Sequence, residues 1–153
     1  MAITSEPRTQ SASPAPATDV AAVVARVRAA YDSGRTRPVE WRVEQLDGLA
    51  RMLTREEERF TAALAADLGK PAIEGYIADV KATINEIVDI RKHTPKWAKP
   101  RKVKLPMAMK PGSGWIHPEP LGVALVVAPW NYPIQLLLLP MAAAIAAGNA
   151  VKT

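Results

Sequence analysis

From Pro120 to Val151 the chain reads "PLGVALVVAPWNYPIQLLLLPMAAAIAAGNAV" and carries no charged side chain. That run limits what the whole chain can fold into. About 18 consecutive apolar residues suffice for a helix that spans a bilayer. Pro129, Asn131, Pro133 and Pro140 interrupt this stretch, and each proline inside a helix costs roughly 3 kcal/mol. No unbroken helix of spanning length is left, so a membrane anchor is a poor reading and the run must be covered by protein. A strand, a turn and a helix satisfy it. "GVALVVA", Gly122 to Ala128, is short, apolar throughout and rich in β-branched residues, the pattern of a strand buried on both faces of a parallel sheet. "PWNYP" is a tight turn at its carboxyl end. "IQLLLLPMAAAIAAGNAV" is the helix that follows, with Gly148 near its end. Ligands of open α/β sheets bind outside the carboxyl ends of the strands, which puts Trp130 and Asn131 where chemistry is normally done. Spacing alone leaves Asn131 two readings, a donor in a site or a cap for the helix beginning near Pro133. Trp130 likewise reads as a site residue or as core packing.

Upstream, the periodicity is helical. Residues 1–18, "MAITSEPRTQSASPAPAT", hold too few large apolar side chains to offset their ordering entropy and are expected to form a disordered tail. They lack the apolar region of a secretory signal, which makes the cytoplasm the expected compartment. Val20, Val23, Val24, Val27 and Tyr31 predict a first helix, capped by Thr18 or Asp19 and stopped at Gly34. Leu46, Leu49, Leu53, Phe60, Leu64 and Leu68 predict one long second helix ending at Gly69 and Pro71. Ile73, Ile77, Val80, Ile84 and Ile87 predict a third, broken by Pro95.

Between Lys96 and Pro120 prolines, bases and short extended pieces alternate, and "SGWIHPEPLG" reads as an edge strand. Arg91 to Lys110 holds eight of the chain's 20 Lys and Arg and no carboxylate, leaving 20 − 8 = 12 bases against 15 acids elsewhere. Trp97 could stack on a base, but the segment has no aromatic-interleaved period and reads as a surface connector, not a nucleic-acid site. His93 and His117 each stand alone and read as surface residues rather than ligands. The chain has no cysteine, which excludes disulfides, thiolate metal sites and a sulfur nucleophile, and no metal site is expected.

"EPLGVALVVAPWNYPIQLLLLPMAAAIAAGNAV", with "SGRTRP" and "ALAADLGKP" before it, resembles the amino-terminal part of the aldehyde dehydrogenase superfamily, nearest its class 3 and fatty-aldehyde branch. The resemblance runs from Asp19 to Val151 and includes the order of the motifs. It implies oxidation of an aldehyde to the acid with NAD or NADP, by a cysteine thiolate that attacks the carbonyl, hydride loss to the nicotinamide, and hydrolysis of the thioester. By the resemblance, Asn131 supplies its side-chain amide to the oxyanion hole. Ala128, Pro129 and Trp130 line the nicotinamide end of the cofactor groove, Trp130 also beside the substrate tunnel. Family members hold the adenosine ribose with a lysine two places beyond the position of Lys152.

The expected fold class is therefore α/β. A tail (1–18) precedes N-terminal helices (19–95), a basic connector with an edge hairpin strand (96–121), and the first strand, turn and helix of an incomplete Rossmann-like cofactor domain (122–153). The strand is expected to lack sheet neighbours and to stand exposed and prone to aggregate, while the helices pack partly on the last helix. With no cysteine the chain alone is expected to be inactive, a fragment of a longer enzyme. Its expected partners are an aldehyde in the complete enzyme and either a second copy or the missing carboxyl-terminal half. The competing expectation is a non-catalytic assembly module that docks on a full-length relative.

Overall fold

The structure, a computed structural model, describes residues 19–153, so the expected tail lies outside the described residues. Asp19 caps α1 (Val20–Asp32), its carboxylate accepting from the backbone N–H of Ala22 at 3.1 Å. Gly34, at φ 77°, turns the chain into α2 (Val39–Arg55).

The long second helix is in fact two. Glu56, at φ −103° and ψ 16°, separates α2 from α3 (Glu57–Leu68). Its carboxylate is gripped by Arg55 Nε at 2.8 Å and Arg59 Nη1 at 2.7 Å. The break lets α2 bury Leu46 and Leu53 against α5 while α3 turns Leu64 inward. Leu68, expected on the same stripe, is left exposed.

The third helical segment also departs from its pattern. α4 (Ala72–Glu74) continues without a turn into a π-helical stretch, Gly75–Lys81, and then α5 (Ala82–Trp97). Hydrogen bonds from i to i+5 insert extra residues per turn, and one extra residue rotates a helix face by about 100°. Ile73 and Ile77 are therefore exposed, while Val80, Ile84 and Ile87 are buried. Gly75 turns inward, where a Cβ would meet Leu64 Cδ1 at 3.3 Å. Pro95 does not break the helix, which runs through it to Trp97. Proline removes one helical N–H, and in this last turn the loss is outweighed by the face of α5 packed on α2 and α6.

β1 (Arg101–Val103) and β2 (Gly114–Ile116) form an antiparallel hairpin, Arg101 opposite Ile116. β3 is shorter than its apolar run, Val123–Leu125, and is not alone. After α6 (Pro133–Ala147), Gly148 at φ 94° ends the helix and turns the chain into β4 (Ala150–Lys152), which pairs in parallel with β3. "AVK" is thus strand, where the sequence suggests the tail of the helix. Asn149 secures the crossover: its Oδ1 accepts from Gly122 N at 2.9 Å and its Nδ2 donates to Ala144 O at 3.1 Å. Leu125, at the end of the pairing, and Val127, beyond it, are exposed as expected. α6 is covered by α5 and α2, burying Ile134, Ala142 and Ala146. Among the described residues no helix is long and apolar enough to cross a membrane.

Candidate functional site

The site forms where β3 gives way to α6. Pro133 occupies the first helical position, where its missing N–H costs nothing. Tyr132, at φ −137° and ψ 70°, stands at the N-cap and no side chain caps the helix from there. Asn131 is therefore not the cap of α6, and it lies exposed in the turn. Trp130 is 83% exposed. Its ring borders a groove of about 350 Å³ between α3 and α6, with Phe60, Leu64, Leu68 and Ile134 among its walls.

The first turn of α6 is held from another element. Gln135 N donates at 2.7 Å to Oδ1 of Asp79, which the π-helical stretch turns fully inward. A carboxylate at the positive end of a helix is stabilised by the orphan N–H groups and by the helix dipole. The other oxygen, Oδ2, lies 3.5 Å from Lys70 Nζ. That contact is an ion pair without hydrogen-bond geometry, and both atoms are buried with no other hydrogen-bond partner. Lys70 Nζ also sits 3.8 Å from the centroid of the Tyr132 ring, close enough for a cation–π interaction. Carboxylate, ammonium and aromatic ring thus converge beneath the turn that carries Asn131.

The far end of α6 is held by Arg42. Its Nε donates to Thr36 O at 3.0 Å, Nη2 to Arg37 O at 2.6 Å and Nη1 to Ala146 O at 3.2 Å. Burial pulls the guanidinium's pKa below its usual value, and three carbonyl acceptors compensate the desolvation. These bonds explain the "SGRTRP" segment, whose backbone is the receptor for Arg42.

Of the residues singled out by sequence, Ala128 is half-buried and Pro129 exposed, three and four residues past the end of β3. Lys152 is exposed on β4, opposite Leu125, at the same carboxyl edge of the two-stranded sheet. His117 is exposed beyond the end of β2. His93 stacks on Trp97 at 5.4 Å between ring centroids, and its Nδ1 lies 3.2 Å from Asp89 Oδ2. Sequence reasoning missed Lys70, Asp79, Arg42 and Asn149. Arg42 had a signal, since it stands one turn before Leu46 on the buried stripe of α2.

Helices packed on a two-stranded parallel sheet, with an Asn-bearing turn beyond its carboxyl edge, make up a partial α/β fold. The sequence pattern of the aldehyde dehydrogenase family matches residues 4–152, and the chain belongs to that family. It is 42% identical over 132 residues to the dimeric NADP-preferring aldehyde dehydrogenase of Canis lupus familiaris, covering 86% of this chain and 29% of that protein. It is 44% identical over 133 residues to an aldehyde dehydrogenase of Craterostigma plantagineum, covering 87% and 28%. The substrate-bound Staphylococcus aureus AldH superposes with a TM-score of 0.84 at 33% identity, over 86% of this chain and 29% of that one. The chain therefore spans less than a third of the length of these relatives.

Proposed function

We propose that this chain forms the oxyanion side of an NAD(P)-dependent aldehyde dehydrogenase, with the amide of Asn131 donating to the carbonyl oxygen as negative charge develops there. The observation that carries the reading is that Asn131 lies exposed in a turn braced at the carboxyl edge of β3, with the N-cap of α6 at Tyr132 and not at Asn131. A donor fixed before the reaction spares the transition state the cost of orienting it. The exposed ring of Trp130 offers an apolar wall beside the carbonyl carbon.

The edge formed by Ala128, Pro129 and Trp130, with Lys152 on the neighbouring strand, has the chemistry for one side of a dinucleotide: a flat apolar lip and one cation. These residues would hold the nicotinamide end, and Lys152 would face the anionic part. When bound, such a cofactor supplies the hydride acceptor. We further propose that the described residues divide functionally into the helical segment 19–95, the connector 96–121 and the cofactor-domain segment 122–153. Without a cysteine this polypeptide has no thiolate to attack the aldehyde, and its activity depends on residues supplied from elsewhere.

Co-expression with the complementary remainder of a relative tests the proposal. NAD(P)⁺-dependent aldehyde oxidation is expected in the mixture and in neither part alone. Asn131→Ala then lowers kcat by about 100-fold or more with a smaller change in KM. Unchanged kcat in Asn131→Ala sinks the oxyanion role.

A second reading, an assembly module without catalysis, is favoured by one observation. Leu121, Leu125 and Val127 together with Trp115 and Ile116 of the hairpin are exposed, the kind of surface that marks an interface. Co-purification with a full-length relative, without gain of activity when the remainder is supplied, selects this reading over the first.

A further inference from the structure

We infer that Asp79, balanced by Lys70, is a positioning residue for the Trp130–Tyr132 turn, a role that rests on the reading of Asn131 as the oxyanion donor. A helix opened by Tyr132 and Pro133 leaves the N–H groups of Ile134 and Gln135 without intrahelical partners. The usual remedy is a Ser, Thr, Asp or Asn side chain at the N-cap itself. Here that residue is a tyrosine, and an asparagine pulled in as a cap would no longer face a substrate. Asp79 supplies the acceptor from 56 residues upstream, at 2.7 Å from Gln135 N. The helix start is thus fixed without the neighbouring side chains of the turn.

Lys70 has two tasks in the same arrangement. It neutralises the buried carboxylate at 3.5 Å, and it presses on the face of Tyr132 at 3.8 Å. The residue next to Asn131 is therefore held from below while the backbone one turn ahead is held by Asp79. The π-helical stretch is what makes this possible. It turns Asp79 inward among Val80, Thr83 and Ile84, and Thr83 Oγ1 donates to the carbonyl of Asp79 at 2.5 Å, locking that backbone. A buried charge with a single hydrogen bond and one ion partner is an expensive way to stabilise a core, and its one hydrogen bond ends in the first turn of α6, four residues after Asn131.

The test is amide hydrogen exchange by NMR on the 153-residue chain, reading Gln135 against core amides such as Leu53 and Ile87. In Asp79→Ala, Gln135 is expected to exchange about tenfold faster relative to those core amides, as befits loss of a charge-assisted bond. The side-chain amide resonances of Asn131 broaden as the turn loses its single conformation. Asp79→Asn, whose oxygen still accepts, recovers most of the protection. Lys70→Met keeps the apolar bulk and serves if Asp79→Ala does not fold. It is expected to shift the Tyr132 ring and Asn131 side-chain resonances while the core rates stay unchanged. The inference is overturned if Gln135 and Asn131 behave as in the parent, or if every core amide accelerates equally, the mark of a residue that only stabilises. Because no aldehyde enters this readout, a local effect at the turn combined with a catalytically silent Asn131→Ala would remove the oxyanion role alone.

Discussion

Arg42 and Gly148 form a lock between α2 and the end of α6. A Cβ on Gly148 would lie 2.6 Å from Arg42 Cζ, and the residue already sits at φ 94°. Gly148→Ala must therefore strain the backbone and displace the guanidinium, and a loss of about 2–4 kcal/mol in urea unfolding is expected. Arg42→Met leaves the carbonyls of Thr36, Arg37 and Ala146 without a partner, and roughly 3 kcal/mol should be lost in the same measurement. Glu56 gives a pH signature. Hydrogen bonds from Arg55, then from Arg59, hold its carboxyl below the usual range. A depressed folded-state value contributes stability above the unfolded pKa and loses it as pH falls through the folded one. An NMR acid titration should therefore place the Glu56 midpoint below that of an unperturbed glutamate, and Arg59→Gln should raise it.

At the scale of elements, the π-helical stretch decides which residues of a regular-looking stripe are buried. Ile73, Ile77, Ile84 and Ile87 look equivalent in the sequence. In the fold Ile73 and Ile77 are 66% and 57% exposed, against 7% and 0% for Ile84 and Ile87. Ile84→Ala is expected to cost about 2–5 kcal/mol, and Ile73→Ser with Ile77→Ser about 0.5 kcal/mol or less each, read from thermal or urea unfolding. Equal costs would show that the face does not rotate. The helix class of all these segments was readable from their periodicity, because an amphipathic stripe is local information. The break at Glu56 and the passage through Pro95 were not, because each is decided by what the neighbouring helix covers.

At the scale of the molecule, the helical bundle and the two-stranded parallel sheet meet with one face of the sheet open. Leu125 is 71% and Val127 82% exposed, and with the exposed Leu121 they form an apolar ledge. Leu125→Lys with Val127→Lys is expected to reduce concentration-dependent association in sedimentation velocity while leaving the unfolding midpoint nearly unchanged, since neither side chain is in the core. An unchanged association constant would mean that another surface carries the contacts.

The sequence by itself determined the helical class of the segments before the basic connector, the strand–turn–helix order around "PWNYP", a cap at Thr18 or Asp19, a helix end near Gly148, and the position of Asn131 beyond a strand's carboxyl end. All of these depend on residues within a turn or two of one another. The tertiary structure alone decided that β3 has a partner in β4, that Asp79 rather than Asn131 holds the start of α6, and that Arg42 holds its end. Those bonds join residues 27, 56 and 104 positions apart. Whether such groups meet is decided by how the helices pack, which local propensity does not encode.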